Sequence, residues 1–180
     1  MPEQDEPSAA EVEAIVEAVE AGKDDIVVPE ELLVEREVEQ AHLQAKSLYA
    51  EILHMPIGQK IKLALRGNKD ARTILIRDTN KLIRRFVLQN PRITDGEVIG
   101  VCRNRGADEE MLRIVNDKRE WSRNYQVRLA LVQNPRTPLP IAVKHVASLD
   151  ERDVRFLSRS KNVSQTISAQ CKRLLFTRQK

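Results

Sequence analysis

The run Ile83-Arg84-Arg85-Phe86-Val87-Leu88-Gln89-Asn90-Pro91-Arg92-Ile93-Thr94 returns 44 residues later, without a gap, as Val127-Arg128-Leu129-Ala130-Leu131-Val132-Gln133-Asn134-Pro135-Arg136-Thr137-Pro138. Arg84 and Arg128 are identical in the two copies, and so is the phrase Gln-Asn-Pro-Arg that begins at Gln89 and Gln133. Ile83, Phe86 and Val87 are spaced for one face of a helix. Pro91 stops that helix, because it lacks an N–H and its ring collides with the preceding turn. Asn90 and Asn134 are expected in the left-handed conformation that ends many helices, which asparagine tolerates better than most residues. Thr94 is placed to cap the next helix, with Glu97 three residues on to complete a capping box. In the second copy Thr137 is the cap candidate and Pro138 the first helical residue. Each copy reads as helix, sharp corner, helix.

Weaker copies flank these two. Ile61-Lys62-Leu63-Ala64-Leu65-Arg66-Gly67-Asn68 precedes the first by 22 residues, Met111-Leu112-Arg113-Ile114-Val115 falls between them, and Val154-Arg155-Phe156-Leu157 follows Val127 by 27. Five recurrences of a unit of about 16–28 residues predict a solenoid, since no single unit can bury its stripe alone. Aromatic residues are only 3% of the 180 and there are six glycines, which argues against a β-sandwich or barrel. The expected fold is all-α: a right-handed solenoid of short helical repeats over residues 56–180, preceded by an acidic N-terminal arm and a long helix.

Charge separates these regions. Residues 1–55 hold fifteen Asp+Glu against three Lys+Arg, a net −12, while residues 56–180 hold 12 acids against 27 bases, a net +15. Residues 1–28 read as a largely disordered acidic arm. Within it Val12, Ile15, Val16 and Val19 make a short amphipathic helix that Gly22 closes. Residues 29–55 read as one helix, with Val34, Val38, Ala41, Ala45, Leu48, Ile52 and Met55 at coiled-coil spacing. That seam suits either a weak dimer through residues 34–55 or, preferably, packing against the first helical pair of the body.

At the two Asn-Pro corners the body resembles the leucine-rich repeat variant, a family related in style to HEAT-like repeats, whose units read approximately "VR…V…NP…P…L". The match is Val127-Arg128…Leu131…Asn134-Pro135…Pro138…Val143, and more loosely Ile83-Arg84…Val87…Asn90-Pro91…Val98, within residues 57–175. The resemblance implies a curved, right-handed stack of short helices with an interaction role, and it transfers no catalytic residues. One branch of that family carries a cysteine-clustered iron–sulfur site; with Cys102 and Cys171 alone, nothing of it carries over.

No spacing of His42, His54, His145 and the two cysteines matches a metal site, so no metal, cofactor or catalytic residue is expected. His145 reads as a packing histidine. Asp150, Glu151 and Asp153 read as caps of the helix that follows rather than as a catalytic pair. The chain is therefore read as no enzyme. Two features point to binding instead. Arg84 with Arg128, and Arg92 with Arg136, fall at equivalent repeat positions; Lys62 and Arg113 fall near the first row, and Arg155 extends it. Such a ladder suits an acidic protein surface or a phosphate backbone. Its alternative is that the arginines stack on their own corners. Trp121, beside Lys118, Arg119 and Arg123, is either a binding anchor or core.

The reading preferred from the sequence is a cytoplasmic protein-interaction scaffold that binds a partner with an acidic surface through a curved basic face, with no membrane span. The alternative is nucleic-acid binding by the arginine ladder. Against that alternative stands a shortage of stacking aromatics, because Phe86 and Phe156 both fall on helix stripes. The acidic arm is expected either to tether a partner or to cover the Arg84/Arg128 row.

Overall fold

The computed structural model describes residues 7–35 and 41–178, with the backbone alone for residues 41–47. Among these residues the protein is all-α, with twelve α-helices and no strand. It divides into two compact units, Met1–Ile93 and Thr94–Lys180.

The first unit holds α1 (Ala9–Ala21), a 3₁₀ turn (Glu30–Leu32), α2 (Ala41–His54), α3 (Ile57–Arg66), α4 (Lys69–Leu75) and α5 (Lys81–Val87). The arm belongs to its core. Val12 and Val19 are buried in one cluster with Ile61, Leu63, Ile83 and Val87. Ser8 and Glu11 form a capping box at the start of α1, and Gly22 ends the helix at φ 67°, the left-handed conformation expected there. Polar groups then tie the arm down. Arg66 Nη2 donates to Val19 O and Glu20 O at 3.1 and 2.9 Å, at the carbonyl end of α1, where Val19 O also accepts from Gly22 N. Lys62 Nζ donates to Asp24 Oδ1 and Ile26 O, both at 2.6 Å. That bond holds the Asp24 carboxyl below its ordinary pKa. Asp24 thus takes up one lysine of the row that the repeat alignment places with Arg84.

Between residues 29 and 55 the structure differs from a continuous helix. Pro29 precedes only the 3₁₀ turn, and the α-helix runs from Ala41. The reason lies in the carbonyls of the turn. Leu32 O accepts from Asn68 N, and Glu31 O and Val34 O both accept from the Asn68 side chain, so none is left to propagate a helix. Val34 is exposed, while Leu48, Ile52 and Met55 are buried inside the unit's own core. Val38, and the side chains of Ala41 and Ala45, lie outside the described residues.

The second unit holds α6 (Asp95–Arg103), α7 (Glu109–Asp117), α8 (Arg119–Arg123), α9 (Tyr125–Gln133), α10 (Leu139–Val146), α11 (Glu151–Arg159) and α12 (Gln165–Arg178). Val132, Ala142, Val146, Leu149, Val154, Leu157, Ile167 and Cys171 form one of its buried clusters. Thr94 and Glu97 make the expected capping box. Thr137 does not cap α10. Pro138 takes the cap position instead, and the buried Thr137 hydroxyl has no hydrogen-bond partner.

The Asn-Pro corners are built differently from the left-handed turn expected. No residue other than glycine has positive φ among those described, and Asn134 sits at φ −82°, ψ 121°. Its side chain does the capping. Asn134 Nδ2 donates to Cys102 O at 2.7 Å and Asn104 O at 2.9 Å, while Oδ1 accepts from Arg136 N at 2.9 Å. In the first unit Asn90 repeats the arrangement: Nδ2 donates to Ala64 O and Gly67 O at 2.9 and 3.2 Å, and Oδ1 accepts from Arg92 N at 2.9 Å. Both asparagines are buried. Each amide clamps the carbonyl end of an earlier helix and folds its own corner with its oxygen, an Asx turn. A left-handed backbone would aim the side chain elsewhere. Asn68, 22 residues before Asn90, is a third clamp with the same division of labour, its Oδ1 accepting from Ala71 N at 3.0 Å.

The charge divides where the units do. Residues 1–93 hold 17 acids and 13 bases, a net −4, and residues 94–180 hold 10 acids and 17 bases, a net +7. The acids of the arm therefore sit in one compact unit with the bases of residues 56–93.

Candidate functional site

The basic unit presents two exposed phenylalanines, Phe176 on α12 and Phe156 on α11, and the second stands among hollows. The buried stripe of that helix is Val154, Leu157 and Ser158. Phe156 lies two residues from Val154, roughly 200° around the helix. It therefore projects from the unit and is 64% exposed, which corrects its assignment to a packed stripe. Hollows adjoin the ring on several sides. One, of about 430 Å³, includes Asp150 and Asp153. Another, of about 590 Å³, includes Glu151. A third, of about 320 Å³, has no carboxylate in its wall. Its polar wall is Arg103, Arg105, Gln133, Asn134, Ser160 and Asn162, and Phe156 closes one side.

The Asn134 clamp positions this third hollow. By holding Cys102 O and Asn104 O it fixes the end of α6, and so places Arg103 and Arg105 beside Phe156. The same two bonds occupy carbonyls at the negative end of the α6 dipole, which would otherwise oppose an anion there. Arg103 and Arg105 are exposed and form no ion pair among the described residues.

The acids at the start of α11 are engaged elsewhere. Asp153 accepts from the Tyr125 hydroxyl, which in turn accepts from Asp150 N at 3.2 Å. Burial and the bond to Asp153 push the Tyr125 pKa above its ordinary value. Glu151 pairs with Arg155. Asp150 stands at the cap position without a side-chain capping bond, so the expected capping by carboxylate is absent there.

The arginines singled out from the repeat take three different places. Arg84 and Arg128 are half-buried. The guanidinium of Arg128 lies 5.6 Å from the Tyr125 ring centroid, and its Nε is buried without a hydrogen-bond partner. Arg92 is exposed yet donates to Leu33 O at 2.7 Å, and Arg136 is exposed beside its corner. Arg113 and Arg155 are each paired with a glutamate one turn earlier, Glu109 and Glu151. Trp121 is 5% exposed, and Lys118 Nζ covers its ring at 4.2 Å from the centroid. Burial of the Lys118 ammonium lowers its pKa.

His145 is buried and hydrogen-bonded to Asn116 Oδ1 at 2.8 Å. Burial, reinforced by Lys144 and Arg128, lowers its pKa. Cys102 and Cys171 are free and buried, and burial pushes the Cys102 thiol up to about 12. Among the described residues no three His, Cys, Asp or Glu side chains gather to hold a metal ion, and no helix is long and apolar enough to cross a membrane.

Sequence reasoning missed Arg103, Arg105 and the accessibility of Phe156. Arg103 ends α6 and Arg105 lies two residues on, both outside the repeated phrase, and the Asn134 clamp fixes that end of the helix. The signal for Phe156 was available in its offset from Val154 and Leu157. No family model, curated protein or solved structure matches the chain.

Proposed function

We propose that the chain is a non-enzymatic interaction scaffold, its helical repeats stacked as a solenoid in the style of the leucine-rich repeat variant, which holds an anionic partner on the basic surface of residues 94–180. It acts in the cytoplasm, where its two buried thiols stay reduced. The observation that carries this reading is the hollow at Phe156, where two arginines without carboxylate partners meet an exposed aromatic ring. Arginine beside an aromatic is the composition of binding hot spots, and a unit of net +7 attracts negative charge.

Of the two partner classes weighed from the sequence, an acidic protein surface remains compatible with this charge. One specific observation favours nucleic acid: the stacking aromatic that the sequence reading found wanting is present as Phe156. The proposal is tested by capture on the immobilised intact chain from a cell extract, with and without nuclease, eluting with rising salt. Retention that salt reverses supports an anionic partner, because screening shortens the Debye length from about 10 Å at 0.1 M to about 3 Å at 1 M. Retention indifferent to salt contradicts it.

A further inference from the structure

We infer that the hollow formed by Arg103, Arg105, Gln133, Ser160, Asn162 and Phe156 is a binding site for single-stranded nucleic acid. It takes one nucleotide with the base stacked on Phe156 and the flanking phosphates on the two arginines. This inference rests on the reading of residues 94–180 as an anion-binding scaffold and names its ligand.

The shape and chemistry select the ligand. A protein helix docking in a groove needs several apolar anchors at helical spacing. Here one exposed aromatic stands among two guanidiniums, three carboxamides (that of Asn134 already engaged) and a hydroxyl, and the apolar rest of the wall is mostly buried. A duplex keeps its base faces stacked inside and offers nothing to an exposed ring, whereas an unpaired base has a free π-face. Phe156 is open to stacking at 64% exposure, and the hollow beside it, about 320 Å³, is at the small end of ligand sites, suited to a single group rather than a groove-filling segment. Gln133 and Asn162 each carry a donor and an acceptor, so they can meet the edge of any base and confer little sequence preference.

Charge agrees with this assignment. Of the other two hollows beside Phe156, one sets Asp150 and Asp153 against Arg152, and the other holds Glu151, paired with Arg155, beside Arg152 and Arg159; the third alone has no carboxylate in its wall. Arg103 and Arg105 therefore present their charge to a strand with no acid in the same wall. Neither arginine gives up a carboxylate partner when a phosphate arrives, and guanidinium binds phosphate oxygens in bidentate fashion.

The test uses the full chain and fluorescence anisotropy with labelled oligothymidylate and oligouridylate, a duplex of the same length, and polyglutamate. The inference predicts that both single strands bind more tightly than the duplex and polyglutamate. Phe156→Ala is expected to weaken single-strand binding about 10- to 100-fold, the range of losing one base stack. Phe156→Trp restores it. Phe176→Ala, which removes another exposed aromatic, leaves it unchanged. Arg103→Gln and Arg105→Gln each flatten the slope of log affinity against log salt by about 0.7, the counterion released per contact on a single strand. Because Phe156 is mostly exposed, its alanine variant keeps the fold, and an unchanged circular dichroism melt confirms that. If the single strands bind but Phe156→Ala and Phe176→Ala behave alike, the site is wrong while the anionic scaffold stands. Polyglutamate binding more tightly than the single strands overturns the inference in favour of an acidic protein partner. If none of the four probes binds, both the site and the scaffold reading fall.

Discussion

Replacing Asn134 by aspartate changes one atom pair and tests whether the side-chain amide holds the corner together. The native Nδ2 donates two bonds, to Cys102 O and Asn104 O, and Oδ1 accepts a third from Arg136 N. Aspartate keeps the acceptor and the shape but turns an oxygen toward two carbonyls that then lack a donor. The bond to Cys102 O is buried and loses its partner outright, at about 1–3 kcal/mol. The bond to Asn104 O is only part-buried, so water recovers some of its loss. Adding the desolvated carboxylate, the expected cost is about 2–4 kcal/mol at pH 7. For a chain of this size that lowers the melting temperature by roughly 5–15 °C.

The penalty also has a pH signature. A carboxyl facing two carbonyls has its folded pKa raised above the unfolded value of about 3.9. Between those two values the folded state binds more protons than the unfolded, so stability relative to the native chain falls as pH rises and is best preserved below about 3.9. Urea titrations of both proteins at pH 4 and pH 7, followed by circular dichroism, read this directly. A variant within about 0.5 kcal/mol of the native chain at pH 7, or one whose deficit does not shrink in acid, refutes the clamp.

Gly67→Ala is expected to destabilise the first unit by about 1–3 kcal/mol in thermal melts, because a Cβ there would stand 2.3 Å from Leu63 O and 2.9 Å from the Ala71 methyl. His145 has its folded pKa depressed, so it contributes stability that is present above about pH 6.5 and is lost as pH falls through the folded value. His145→Gln should flatten that acid limb in pH-dependent urea titrations. Cys102 and Cys171 should resist a thiol reagent at pH 8 in the native chain and react at once in denaturant, since Cys102 is held near pKa 12 and both are buried.

The repeat was legible at the level of elements because its cues are local. Proline beyond the first turn breaks a helix, and Thr94 with Glu97 caps one without help from distant residues. The conformation of Asn90 and Asn134 was not legible, because it depends on carbonyls 23 to 32 residues away, at Ala64, Gly67, Cys102 and Asn104. The same long-range bonding hid the break before α2, where Asn68 takes the carbonyls a helix would have used. Asn68 itself was within reach, at the same 22-residue spacing that relates the weaker copy to the first. The arginine rows show a further limit. Equivalent positions in a repeat share a backbone setting but not a neighbour, so Lys62 meets Asp24 while Arg128 lies beside Tyr125. Arg103 and Arg105 had no repeat to announce them, and their position next to Phe156 follows only from the folded corner.

The central claim is that an anionic single strand seats at one place on the basic unit. Backbone amide spectra of the ¹⁵N-labelled full chain, titrated with oligothymidylate, test it residue by residue. A single seat gives saturable shifts concentrated at residues 102–105, 133–134 and 156–163, with Met1–Ile93 little changed. Shifts spread evenly over the exposed arginines, or concentrated in the first unit, would contradict it.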